Sequence, residues 1–213
     1  MSPTDATHAA AHVATHEAAS VVAHAALPAS RTPHAMAPAL TAALEVVDAR
    51  YRAALAAIPP AARDTRPASG GWTAHMILEH VTLANEQYLA AMRAPATRLE
   101  ASATSDVSWR ATPGGWLLAT SLTWRVPLKA PRGIVPGPAP RAQVLDALVH
   151  THDDVRQLLT RVQARDWRAA RLRSPFARWL SLNLGDAFVI LLRHGERHAA
   201  QLERLAAWHA DAR

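Results

Sequence analysis

The amino-acid sequence predicts an all-α protein, built as an up-down four-helix bundle with a long crossover loop between the second and third helices. Alanine dominates the composition, and the apolar runs hold more Ala and Leu than Val, Ile and Tyr, a balance that favours helices over strands. Four long segments carry apolar residues at three- and four-residue steps, the period of an amphipathic helix. Since half of the 213 residues are hydrophobic, one domain can bury a sizeable core.

A polar loop separates the first two predicted helices. The first runs from about residue 38 to residue 58, after which two consecutive prolines end it. The second begins at Thr73, a favourable N-cap residue, and continues to about residue 92. His80 falls on or beside the apolar stripe of this second helix.

The last two helices span about residues 141–162 and 183–208. The crossover between the second and third helices, residues 94–140, holds three tryptophans and a stretch dense in proline and glycine. Its segment 117–126 fits a short helix or an extended piece, and periodicity does not decide between them. Connections of this length inside a compact domain often carry function, and in a bundle they can join two helical hairpins.

Residues 1–35 form a low-complexity leader ahead of a bundle domain predicted over residues 36–210. The leader has almost no large apolar side chain to bury, so we expect it to be disordered. The alternative is a helix whose histidines line one face and bind metal adventitiously. Translation that starts at Met36 is a further hypothesis, because the first convincing helix opens there. The leader histidines at four-residue spacing are His8, His12 and His16.

The charge pattern argues against a nucleic-acid or membrane partner. The formal charge is +6, but the arginines are scattered among Asp and Glu, whereas phosphate binding needs clustered cations. No run approaches the roughly 20 apolar residues of a membrane span, and no basic start precedes an apolar run as in a secretory signal. We therefore expect a cytoplasmic protein that acts on a small-molecule substrate.

Cysteine is absent, so any metal site must use nitrogen and oxygen ligands. His194 and His198 lie four residues apart, so both imidazoles project from one face of the fourth helix. His80 offers a third imidazole from the second helix. Three neutral imidazoles leave one or more coordination positions open, as in reactive metal sites. The alternative is a set of core histidines satisfied by hydrogen bonds.

Two motifs carry a family resemblance. Residues 71–80 read GWTAHMILEH, and the segment 180–201 ends in HGERHAAQ at residues 194–201. Both resemble signatures of the DinB-like family, in which a tryptophan opens a helix whose later histidine binds metal. The segment 130–140, before a helix, is also similar to a common form of that family. The resemblance covers about residues 38–208 and leaves the leader outside it.

The resemblance implies a four-helix bundle of the DinB/YfiT type, in which His80, His194 and His198 match the three metal-ligand positions. It also implies one divalent metal ion (zinc, nickel or iron) and the capacity to form a homodimer. Some family members are thiol-dependent S-transferases or isomerases that use a low-molecular-weight thiol such as bacillithiol, mycothiol or glutathione. Many others have no known activity.

Further side chains are candidates for supporting the metal or lining its pocket. Gln201 shares a face with His198 and could orient it through a hydrogen bond, although a packing role fits equally well. Three crossover tryptophans could cover the open side of the metal, or they could simply cap the core. These tryptophans are Trp109, Trp116 and Trp124.

Several polar residues near the candidate ligands are interpreted as bystanders. His150 and His152 lie two residues apart in the third helix and cannot share a face, so both are predicted to be exposed to solvent. Glu196 and Arg197, between the two histidines of the fourth helix, are predicted to form an exposed pair.

Two functional hypotheses follow from these observations. In the first, the chain is a metal-dependent thiol S-transferase, because a bound cation lowers the pKa of a thiol and yields a thiolate that attacks an electrophile. In the second, it is a non-catalytic metal-binding bundle of a stress response that acts through a protein partner. Thiol-dependent turnover that vanishes in His80→Ala would support the first.

Overall fold

The computed structural model describes residues 24–67, 70–100, 102–105, 107–124 and 129–211. Within these ranges the chain is mostly helical, with five α-helices, two single-turn 3₁₀ segments and two three-residue strands. The predicted all-α class is therefore confirmed. The elements are α1 (Pro33–Ala57), α2 (Ala74–Glu100), α3 (Pro113–Ser121), α4 (Val144–Val162), β1 (Arg171–Arg173), β2 (Ser181–Asn183) and α5 (Leu184–Asp211).

The four long helices pack through the apolar faces that their periodicity predicts. Helix α1 packs against α4 and α5, and α2 packs against the same two helices. Tyr51 and Phe188 are among the large side chains buried in this core, with 0% and 2% of their surface exposed. Burying a side chain of this size contributes about 1.5–3 kcal/mol to folding. The up-down order of a four-helix bundle stays a prediction.

The two strands form a small antiparallel hairpin before α5, in which Leu172 lies opposite Leu182. Both leucines are buried; the other two residues of β1 are exposed, whereas in β2 Ser181 is exposed and Asn183 is buried. Strands this short give almost no period-two signal, so the sequence does not reveal the hairpin.

Helix α3 occupies part of the crossover whose conformation the sequence leaves undecided. It is fixed to the start of α5 by Asp186, whose carboxylate accepts hydrogen bonds from the Thr112 hydroxyl at 2.7 Å and the Asn183 backbone N–H at 2.9 Å. Thr112 also caps α3 by accepting from the Gly115 N–H at 2.9 Å. A Cβ atom at Gly115 would lie 2.2 Å from Cγ of Asp186, so this close approach requires glycine.

Residues 24–32 lie before α1 without regular secondary structure and are attached to the folded helices. The backbone N–H of Ala25 donates to Oε1 of Glu196 on α5 at 2.7 Å. Helix α1 begins three residues before Met36, whose side chain is fully buried. Residues 1–23 of the predicted leader lie outside the described part of the chain. The boundary between the leader and the domain stays a prediction.

Among the described residues, none of the helices has the length and apolar character needed to cross a membrane.

Candidate metal centre

Three imidazoles converge between α2 and α5. His80 comes from α2, whereas His194 and His198 come from successive turns of α5. One ring nitrogen of each histidine lies within 4.8 Å of those of the other two. Nε2 of His80 lies 3.1 Å from Nε2 of His194. The structure thus brings together the three residues that the sequence predicts as ligands.

Hydrogen bonds fix the orientation of two of these rings. Nδ1 of His80 lies 2.7 Å from the carbonyl oxygen of Ile134. Because a carbonyl only accepts, the proton of His80 lies on Nδ1 and its Nε2 carries a lone pair. Nδ1 of His198 donates in the same way to Oε1 of Gln201 at 2.8 Å. Both rings therefore keep an unprotonated Nε2 that can ligate a metal.

Burial keeps all three rings neutral. Desolvation lowers the pKa of His80, and it lowers the pKa of His198 to about 3, with a further contribution from the charge of His80. The pKa of His194 lies well below its ordinary value, first because of desolvation and then because of its two histidine neighbours. Since neutral imidazole is the form that binds metal, protons do not compete for these nitrogens near neutral pH.

The spacing of the nitrogens fits a small divalent cation. Two nitrogens that each lie about 2.0–2.1 Å from one tetrahedral ion are roughly 3.3 Å apart, close to the 3.1 Å between His80 and His194. Nitrogen ligands of this kind suit zinc, nickel and iron. Three protein ligands would also leave a position open for solvent or substrate.

Trp72 covers the same group of rings. The centroid of its ring lies 4.6 Å from that of His80 and 6.3 Å from that of His198. The next residue, Thr73, caps α2 by accepting a hydrogen bond from the Met76 N–H at 3.2 Å, as the sequence predicts. The start of α2 thereby fixes the indole beside the candidate ligands.

A cavity of about 900 Å³ opens beside the three histidines. Lys129, Arg197 and Arg204 line it, and none of its described lining residues carries a carboxylate. A cavity of this size can hold a small-molecule ligand or cofactor. Its positively charged lining favours the binding of an anion. The apolar part of the lining includes Trp72, Leu118, Leu122, Ile134, Phe176 and Leu191.

A family model described as the DinB superfamily matches residues 43–202, a range that contains all three histidines. The chain belongs to the DinB superfamily. No curated protein and no solved structure matches it. The resemblance predicted from the two motifs is therefore confirmed at the level of the superfamily, which by itself does not establish metal binding.

The predicted tryptophans occupy different places in this DinB superfamily protein. Trp124 lines the cavity beside the histidines and is half exposed. Trp109 is buried elsewhere, where its indole N–H donates to Oδ1 of Asn183 at 2.8 Å. Trp116 is 62% exposed, and together with Trp109 it lines a separate cavity of about 400 Å³. Of the three, the structure places only Trp124 beside the candidate metal centre.

Two residues predicted to be exposed are buried in this DinB superfamily protein. His152 is 1% exposed, and its Nδ1 lies 2.5 Å from Oδ1 of Asp48 on α1, whereas His150 is exposed as predicted. Glu196 is 2% exposed and binds Arg193 at 2.8 Å. The prediction that His152 and Glu196 are exposed to solvent is wrong. Each side chain binds residues on another segment or on a neighbouring helical turn, and the local sequence pattern does not reveal these partners.

Proposed function

We propose that this protein is a metal-dependent S-transferase. In this proposal His80, His194 and His198 hold one divalent ion, and the adjoining cavity binds a low-molecular-weight thiol together with its electrophilic substrate. The observation that carries the proposal is the convergence of three neutral imidazoles beside a cavity in which the charged lining residues that the structure describes, Lys129, Arg197 and Arg204, are all cationic. We also propose that the four long helices form the up-down bundle, with the crossover as one wall of the cavity.

The proposed chemistry divides between the metal and the cavity. A divalent cation bound here would lower the pKa of a coordinated thiol, so that the thiolate forms near neutral pH. Lys129 and Arg204 would attract the carboxylates of the thiol. Arg197 donates to the backbone carbonyl oxygens of Leu122 and Trp124, which holds its guanidinium at the cavity wall. The apolar lining would exclude water from the reacting sulfur.

The test is thiol consumption by the metal-loaded full chain with a panel of electrophiles. Two thiols are compared: glutathione, which carries carboxylates, and 2-mercaptoethanol, which is neutral. We expect His80→Ala to abolish turnover with both thiols. Arg204→Gln should raise KM for glutathione roughly tenfold, the cost of one charge-assisted contact, and leave KM for 2-mercaptoethanol unchanged. Arg52→Gln, at an exposed position of α1, is the matched control.

The outcomes separate the two functional hypotheses. Turnover that disappears with His80 supports the transferase. A protein that binds one metal ion but consumes no thiol with any electrophile contradicts it and favours the non-catalytic metal-binding bundle. If Arg204→Gln leaves KM for glutathione unchanged, that result would contradict the proposal that Arg204 binds the carboxylates of the thiol.

A further inference from the structure

Within the described part of the chain, Nδ1 of His194 lacks a hydrogen-bond partner of the kind that Nδ1 has in the other two candidate ligands. Nδ1 of His80 donates to a carbonyl oxygen, and Nδ1 of His198 donates to Gln201. Nδ1 of His194 is buried and has no partner among the described residues. Metal-bound histidines almost always donate their second ring N–H to an acceptor, and a buried donor without one costs about 1–3 kcal/mol. With a metal ion on its Nε2, His194 would therefore need an acceptor in the protein interior.

His152 on α4 offers a matching acceptor. Its Nδ1 lies 2.5 Å from Oδ1 of Asp48, and since a carboxylate accepts, the neutral ring holds its proton on Nδ1. Its Nε2 is then a bare acceptor, and within the described part of the chain this buried atom has no hydrogen-bond partner. Arg156 donates to the other carboxylate oxygen of Asp48 at 2.9 Å and so fixes the orientation of the carboxylate.

Gly195, the residue after His194, lets His152 approach this turn of α5 closely. A Cβ atom added at Gly195 would lie 3.9 Å from Nε2 of His152 and 3.3 Å from Cγ1 of Val47, so α1 and α4 approach α5 where it has no side chain. The Tyr51 hydroxyl donates to the Gly195 carbonyl at 2.7 Å and holds this turn of α5 in place.

We infer that His152, oriented by Asp48, is a positioning residue for His194, and that one buried water links its Nε2 to the Nδ1 proton of His194. The inference rests on the proposed role of His194 as a metal ligand. Donor and acceptor are complementary, and a water between them would have the two or more polar partners that a buried water needs.

His152 would affect metal binding only through its link to His194. With a cation on Nε2, the single proton of His194 must lie on Nδ1, where the buried water would accept it and donate in turn to Nε2 of His152. Metal binding and this link therefore support each other. The resulting chain of carboxylate, imidazole, water and imidazole would hold the His194 ring in its ligating orientation and raise the basicity of its Nε2.

Two substitutions separate this role from a simple ion pair with Asp48. In His152→Asn the amide nitrogen replaces Nδ1 and keeps the bond to Asp48, but the acceptor at the Nε2 position is lost. In His152→Gln the longer side chain places an amide oxygen near the Nε2 position and restores an acceptor. His150→Asn, at an exposed position of the same helix, is the matched control.

The experiment measures zinc affinity of the full-length proteins by competition with a chromophoric chelator. We expect His152→Asn to bind zinc roughly ten- to a hundredfold more weakly than wild type, His152→Gln to recover most of that loss, and His150→Asn to match wild type. The absorption bands of the cobalt(II)-loaded protein, which report ligand geometry, should shift in His152→Asn and stay unchanged in His150→Asn.

Three results would overturn the inference. Equal zinc affinity in wild type and His152→Asn would overturn it and leave the proposed function standing. Equal losses in His152→Asn and His152→Gln would show that the acceptor at Nε2 is not what matters. A wild-type protein that binds no zinc, cobalt, nickel or iron would overturn the proposed function and this inference together.

Discussion

The ring centroids of Trp72 and His80 lie 4.6 Å apart, and the same indole ring lies 6.3 Å from His198. Because Trp72 directly precedes the residue that caps α2, its position is set by the start of that helix. An indole this close to two candidate ligands will report on any paramagnetic ion that they bind, since such ions quench nearby fluorescence.

Nickel(II) added to the metal-free protein should quench part of the tryptophan fluorescence. In Trp72→Phe the same addition should cause much less quenching, because the indole beside the candidate ligands is absent. Trp179→Phe is the control, because Trp179 is 76% exposed and does not line the cavity beside the histidines. A fluorescence titration with both variants checks this. Quenching that persists unchanged in Trp72→Phe would place the bound ion elsewhere.

Gln201→Ala should weaken metal binding by roughly tenfold or more, the usual effect of removing the acceptor that orients a ligating histidine. The loss follows because Oε1 of Gln201 accepts the Nδ1 proton of His198 at 2.8 Å. Calorimetric titration with zinc measures it, and Gln157→Ala, at an exposed position of α4, serves as the control. Equal affinities in the two variants would argue that Gln201 only packs.

Gly115→Ala should lower the free energy of unfolding by about 1–3 kcal/mol, the range for overpacking a closely packed site. The added Cβ would lie 2.2 Å from Cγ of Asp186, so α3 must move away from α5. Gly137→Ala is the matched control, because its Cβ would meet nothing within 4 Å. Urea denaturation of both variants gives the comparison, and equal stability would contradict the described contact.

The metal-free protein should lose stability as the pH falls below about 6.5. Burial lowers the pKa of His198 from 6.5 to about 3 in the folded state, so between these values the unfolded chain binds a proton that the folded chain does not. Acid therefore favours unfolding, by about 1.4 kcal/mol per pH unit for this group alone. Above pH 6.5 neither state is protonated and the effect is absent.

Denaturant titrations of the metal-free protein at pH 7 and pH 5 measure this dependence. His198→Gln should flatten it, because glutamine does not titrate, whereas His150→Gln should leave it unchanged. The lowered pKa values of His80 and His194 act in the same direction, so some dependence should remain in His198→Gln. A free energy of unfolding that is the same at both pH values would contradict burial of these rings in their neutral form.

The long helices are predictable because each carries its apolar stripe along most of its length. Helix α3 is different, since Trp116 is 62% and Leu117 is 49% exposed, so its hydrophobic residues do not mark a buried face. What holds α3 in place is its contact with Asp186, which lies far along the chain. Sequence periodicity cannot reveal an anchor of that kind.

The candidate ligands are predictable for the same reason as the helices, because each histidine falls on an apolar stripe. His152 carries that signal too, since it lies four residues after Leu148 and three before Val155, both of which are buried. Its pairing with Asp48, 104 residues earlier in the chain, depends on how α1 and α4 pack. The acceptor inferred for His194 therefore emerges only from the folded structure.

The metal content of the untagged full chain in which His8, His12 and His16 are replaced by alanine tests the proposed centre most directly, because these substitutions remove the leader histidines at four-residue spacing. Elemental analysis after reconstitution should find about one divalent ion per chain and almost none when His194→Ala is added. No metal in the first protein, or the same content in both, would contradict a centre built from His80, His194 and His198.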